Sequence, residues 1–105
     1  MEDKWVKLTG AVYKLLDFFP EGEPLKNRAK DKALAIMENK DKAPGRLLED
    51  IEILLNYLKL AKSFGWIDSV NFLRISKEYE NIKKTVSNET KPTANIVAQT
   101  QKVTF

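Results

Sequence analysis

Apolar residues recur along most of this chain at intervals of three and four. Between Leu47 and Val86 the pattern divides into two amphipathic helices joined at Phe64-Gly65-Trp66-Ile67-Asp68-Ser69. The first carries Leu47, Ile51, Leu54, Leu55, Leu58 and Ala61. The second carries Phe72, Ile75, Tyr79, Ile82 and Val86. Such spacing stacks side chains on one face of a 3.6-residue helix. The pair reads as a helical hairpin, and hence as part of a bundle.

Two further helices precede it. A stripe of Trp5, Leu8, Val12, Leu15, Leu16 and Phe19 predicts a helix from Asp3 to Phe18. Gly10 lies inside it and costs ~1 kcal/mol against alanine unless close packing uses it. Pro20-Glu21-Gly22-Glu23-Pro24 ends that helix in a turn. The second helix begins near Pro24, a residue suited to a first helical position. Glu21 and Glu23 there favour the positive end of the helix dipole. It continues to Asn39 with Leu25, Ala29, Ala33, Ile36 and Met37 inward, and Lys26, Arg28, Lys30, Asp31 and Lys32 outward. The short polar loop from Lys40 to Gly45 allows the second and third helices to lie antiparallel.

The third helix spans Arg46 to Phe64, with Gly65 as its stop. Asp68 or Ser69 caps the fourth, which fades after Val86. The expected fold is all-α: an antiparallel up-down four-helix bundle over residues 1–87, with a tail over residues 88–105. The tail is polar, contains Pro92, and leans towards β structure at Ile96-Val97 and Val103-Thr104-Phe105. It could pack on the bundle, add to a neighbouring subunit or serve as a docking peptide. The third helix also carries a surplus apolar row, Ile53, Tyr57, Leu60 and Phe64. A helix apolar over much of its circumference is either central in the fold or at a subunit interface. Both readings stand at this point: self-association, or a helix covered by both neighbours and the tail.

The totals narrow the chemistry. A chain of 105 residues is one domain. A domain of this size buries roughly 60–70% of its unfolded surface, so one core suffices. There are no cysteines and no histidines, which excludes disulfides, thiolate metal sites and the commonest general base. Glu49, Asp50 and Glu52 cluster early in the third helix, and Glu78 and Glu80 lie on the fourth. Carboxylate-bridged metal bundles need Glu-x-x-His pairs, so these acids read as helix-dipole complements and solvated charge. Ser63 follows Lys62 and Ser76 precedes Lys77, but sequential neighbours on a helix do not face one another. Glycines only at 10, 22, 45 and 65 permit no phosphate-binding glycine motif. No catalytic residue and no cofactor is expected. No apolar run is long enough to span a membrane, and the charged start, Met1-Glu2-Asp3-Lys4-Trp5, has no signal-peptide core. A cytoplasmic location is the expectation.

Basic residues are the better lead. Net charge is +3, from 18 Lys and Arg against 15 Asp and Glu. Arg28 and Lys32 lie one turn apart on the second helix, and Lys26 and Lys30 repeat that spacing. Arg74, Lys77, Asn81 and Lys84 form a row opposite the apolar stripe of the fourth. Such rows either bind phosphate backbones or are simply a solvated face laced with acids. Assembly of several copies would join small patches into a band. No element offers base-reading chemistry, so binding would be to backbone or shape.

Three stretches carry a resemblance. Tyr13-Lys14-Leu15-Leu16-Asp17-Phe18-Phe19-Pro20 is one, and Leu25 through Arg28 to Ala33-Leu34-Ala35-Ile36 is another. The third is Leu54-Leu55-Asn56-Tyr57-Leu58-Lys59-Leu60-Ala61, followed by Gly65-Trp66-Ile67, Asn71-Phe72 and Glu78-Tyr79. Over Trp5 to Val86 the chain resembles the small four-helix proteins related to the accessory variability protein of diversity-generating retroelements. Proteins encoded in intervening sequences of bacterial 23S ribosomal RNA genes belong to the same superfamily. The resemblance implies a ring, typically a pentamer, a basic surface that binds RNA or DNA, and partnership with a reverse transcriptase. The resemblance carries the nucleic-acid-binding role onto five residues that are basic and on outward helical positions: Arg28, Lys32, Arg74, Lys77 and Lys84. The resulting expectation is a non-enzymatic accessory subunit. The alternative is a protein–protein interaction or scaffold module without affinity for nucleic acid, supported by the row Ile53, Tyr57, Leu60 and Phe64 and by the Val103-Thr104-Phe105 end.

Overall fold

A computed structural model of the chain describes residues 3–40 and 44–90. These form four helices: α1 (Lys4–Leu16), α2 (Pro24–Glu38), α3 (Pro44–Ser63) and α4 (Ser69–Thr90). Each packs on its neighbours in a closed cycle: α1 on α2, α2 on α3, α3 on α4 and α4 on α1. Among the described residues no contact joins α1 to α3 or α2 to α4. No strand occurs among them. The tail residues 91–105 lie outside the described residues, and with them the β-leaning stretches.

Local chemistry sets the helix ends. The Asp3 carboxylate accepts the Trp5 N–H at 2.8 Å and caps α1. At its other end α1 tightens: the N–H groups of Asp17, Phe18 and Phe19 reach back three residues, at 3.0–3.2 Å. Regular helix therefore stops at Leu16, two residues before the expected Phe18. The tightened turn buries Phe19 and leaves Phe18 64% exposed. Gly22 then takes φ 77° in the turn closed by the Glu23 N–H on the Pro20 carbonyl, at 3.2 Å. Glu23 caps α2 by accepting the Leu25 N–H at 3.0 Å.

α3 ends in a Schellman motif. The Trp66 N–H reaches the Ala61 carbonyl at 3.0 Å, the Gly65 N–H reaches Lys62 at 2.9 Å, and Gly65 has φ 81°. Asp68, rather than Ser69, caps α4, accepting the Asn71 N–H at 3.1 Å. α4 runs on past Val86 to Thr90, into the first residues of the expected tail. Nothing in Ser87-Asn88-Glu89-Thr90 stops a helix. Pro92, which disfavours helix at the residue before it, comes later.

The core gathers Val12, Leu15, Leu16 and Phe19, then Ala29, Ala33 and Ile36, then the α3 stripe from Leu47 to Ala61. Phe72, Ile75, Tyr79 and Ile82 complete it from α4. Trp5, Leu8, Leu25, Tyr57 and Val86 pack against its edge, half-buried. Three polar side chains are drawn in: Thr9, Asp50 and Tyr79. The Thr9 hydroxyl donates to the Trp5 carbonyl at 2.7 Å. Tyr79 is 1% exposed and its hydroxyl has no partner among the described residues; burial pushes its pKa above the usual phenol range.

Two glycines make opposite predictions. A methyl group added at exposed, helical Gly10 would meet nothing within 4 Å. Gly10→Ala therefore raises stability by about 0.5–1 kcal/mol. Gly65→Ala forces an L-residue into the left-handed region and lowers stability by about 1–2 kcal/mol. Urea denaturation of the two variants checks both signs.

Candidate nucleic-acid interface

Three of the five basic candidates stand on α4. Arg74, Lys77 and Lys84 are exposed, on positions that alternate with buried Ile75, Tyr79 and Ile82. The interior fixes the rotation of α4, and that rotation turns the basic row outward. None of the three makes an ion pair among the described residues. Their neighbour Lys83 behaves differently. Its Nζ lies 2.6 Å from Glu52 Oε1 and 3.6 Å from Glu80 Oε1, fastening α4 to α3. The hydrogen bond from Lys83, and then its charge, hold the Glu52 carboxyl below the usual carboxylate range. The same hydrogen bond lifts the Lys83 ammonium.

The two candidates on α2 have separate settings. Lys32 donates from Nζ to Asp50 Oδ1 at 3.2 Å. Asp50 is 4% exposed, and its other oxygen lies 4.0 Å from Arg46 Nε. A buried carboxylate needs a paired charge, so Lys32 holds α2 against α3. Arg28 is exposed and lines a shallow groove with Leu25, Tyr57, Leu60, Phe64 and Trp66. Because α2 and α4 do not touch, the five cations divide between different sides of the molecule.

The surplus row on α3 divides along its length. Ile53 and Tyr57 are half-buried. Leu60 is 45% exposed and Phe64 60% exposed. The Phe64 ring sits 5.1 Å from Trp66, which lies 5.2 Å from buried Phe19. This aromatic chain leads from the core to the surface at the end of the molecule that holds the α1–α2 and α3–α4 turns. The neighbouring helices leave Leu60 and Phe64 open. The acids of early α3 are engaged too: Asp50 with Lys32 and Arg46, Glu52 with Lys83.

Sequence reading passed over α1. Its helix contains Lys4, Lys7 and Lys14 and no acid. All three lysines are exposed. The signal was present as spacings of three and seven, matching those of Arg74, Lys77 and Lys84, but only the apolar stripe of this helix was read. Lys4 and Lys7 line a groove between α1 and α4, together with Arg74.

The chain matches no protein-family model, no curated protein and no solved structure.

Two outcomes test these assignments. Lys32→Met strands the Asp50 carboxylate and lowers unfolding free energy by about 1–3 kcal/mol, measured by chemical denaturation at pH 7. The Glu52–Lys83 pair acts through a depressed carboxyl. Its contribution is complete above the ordinary carboxyl pKa of 4.5 and is lost as pH falls through the lower folded value. Thermal melts between pH 7 and 2 show a shallower acid-side decline for Glu52→Gln than for the wild type.

Proposed function

We propose that this chain is a non-enzymatic accessory protein that binds the backbone of RNA or DNA through a basic surface. A reverse transcriptase is its protein partner and performs the chemistry. The observation that supports the reading is the α4 row: Arg74, Lys77 and Lys84 are exposed and without carboxylate partners among the described residues. Cations held in line and not neutralised internally are what a polyanion exchanges its counterions for. Arg28 adds a further basic position on another side.

The helices run up-down and antiparallel in this reading. Lys62 lies 5.4 Å from the Phe72 ring, tying late α3 to early α4. Lys83 on Glu52 ties the other halves, and short connections favour the same order. The retroelement resemblance supplies the reverse transcriptase and the homo-oligomer, a pentamer, and the surplus apolar row of Ile53, Tyr57, Leu60 and Phe64 makes the subunit contact. Among the described residues no helix is long and apolar enough to cross a membrane.

A second reading rests on exposed Leu60 and Phe64: an interaction module that contacts protein alone. A salt series separates the two. Nuclease-treated protein binds a structured RNA in low salt, and log affinity falls linearly with log salt. Native mass on the same sample gives the subunit number. Arg74→Glu with Lys77→Glu lowers affinity at least tenfold and leaves the helical circular dichroism unchanged. Wild-type affinity in that variant removes the α4 row from the site, and no binding at low salt favours the protein-contact reading.

A further inference from the structure

The α1–α4 seam joins two basic rows that lie far apart in sequence. α1 contributes Lys4, Lys7 and Lys14, and α4 contributes Arg74, Lys77 and Lys84; all six are exposed. No ion pair among the described residues engages any of them. Each row spans eleven helical residues, a rise of about 15 Å. Packed helix axes lie about 8–10 Å apart, and the exposed side chains of the two rows extend outward from them.

Between Lys4 and Lys7 on α1 and Arg74 on α4 lies a groove of about 420 Å3 whose floor includes Leu8, Ala11, Ile75 and Ile82, with Lys77 and Lys84 further round α4. A smaller hollow of about 220 Å3 continues it towards Lys14, and Arg74 lines both. The seam exists because α1 and α4 make the sparsest contact of the four neighbouring pairs. Ala11 is too short to fill the gap.

We infer that this seam is a binding site for double-stranded nucleic acid, with the α1 lysines contacting phosphates alongside the α4 row. The inference rests on the nucleic-acid reading above and goes beyond it in residues and in ligand. The larger groove has no aromatic lining on which an unpaired base could stack. Glu78 lines the same groove and repels a single phosphodiester strand laid along it. A duplex avoids that carboxylate, because its phosphates belong to two strands and meet the two rims. Contacts of this kind carry no sequence information.

The test uses the full chain and three probes: a labelled 20-base-pair RNA duplex, a DNA duplex of the same sequence, and one 20-nucleotide single strand. Fluorescence anisotropy is recorded across a salt series. The wild type binds the duplexes at least fivefold more tightly than the single strand. Lys7→Glu with Lys14→Glu weakens duplex binding at least tenfold. The milder Lys7→Gln with Lys14→Gln lowers the salt slope by about two, one for each lost phosphate contact. Lys59→Glu, exposed on α3, serves as the charge control and binds as the wild type does. Thermal melts confirm that each variant folds. Wild-type binding by both lysine pairs overturns the inference while Arg74→Glu with Lys77→Glu still tests the α4 row. Equal affinity for duplex and single strand overturns the choice of ligand. Absence of binding by the wild type at low salt overturns both this inference and the reading on which it rests.

Discussion

The structure depends on α3 burying a stripe wide enough to meet two helices at once. Leu47, Ile51, Leu54, Leu55, Leu58 and Ala61 are all nearly inaccessible, and they serve both the α2 side and the α4 side. Apolar burial of this extent is the main favourable term available to a disulfide-free chain of 105 residues. Once α3 is central, the remaining geometry has little freedom. α2 offers the small residues Ala29 and Ala33, which allow close approach. α4 must turn Phe72, Ile75, Tyr79 and Ile82 inward, so its charged face has to look out.

Charge is used in two distinct ways. At Asp50 and at Glu52, ion pairs cross from α3 to α2 and from α3 to α4. The first is largely withdrawn from water and specifies how the helices meet. The second is exposed, and salt screens it. The cations of α1 and outer α4 have no such internal task. A net charge of +3 understates this separation, because the engaged carboxylates cancel in the sum but not in space.

The helices were legible in sequence because their apolar stripes are long and their stops are chemically plain. Pro20-Glu21-Gly22-Glu23-Pro24 and Gly65 leave few options, and apart from Met37 the stripes of all four helices reappear at the core or its edge. The ends were less legible. The tightened turn after Leu16 depends on burying Phe19, and α4 continues because a polar stretch without proline can remain helical. The site was harder still. Spacing shows that Arg28 and Lys32 share a helix face, but not that Asp50, eighteen positions later, draws Lys32 to itself. Spacing also cannot place Lys7 near Arg74, since that neighbourhood exists only once the first and last helices meet. The surplus row shows the same limit: one periodicity covers half-buried Ile53 and exposed Phe64 alike.

The α1–α4 seam also sets an order of assembly. The other three seams each join helices adjacent in sequence, across a loop of a few residues. Such contacts form locally and at low entropic cost. The fourth must bring the two ends of the described chain together, and it has the fewest contacts to hold it. Three hairpin-like units can therefore assemble before the ring of helices closes. Opening that seam costs least, and it frees α1 and α4 alike while leaving α3 covered on both sides. The face that gathers cations from both ends of the chain is also the face where the fold is least firmly shut.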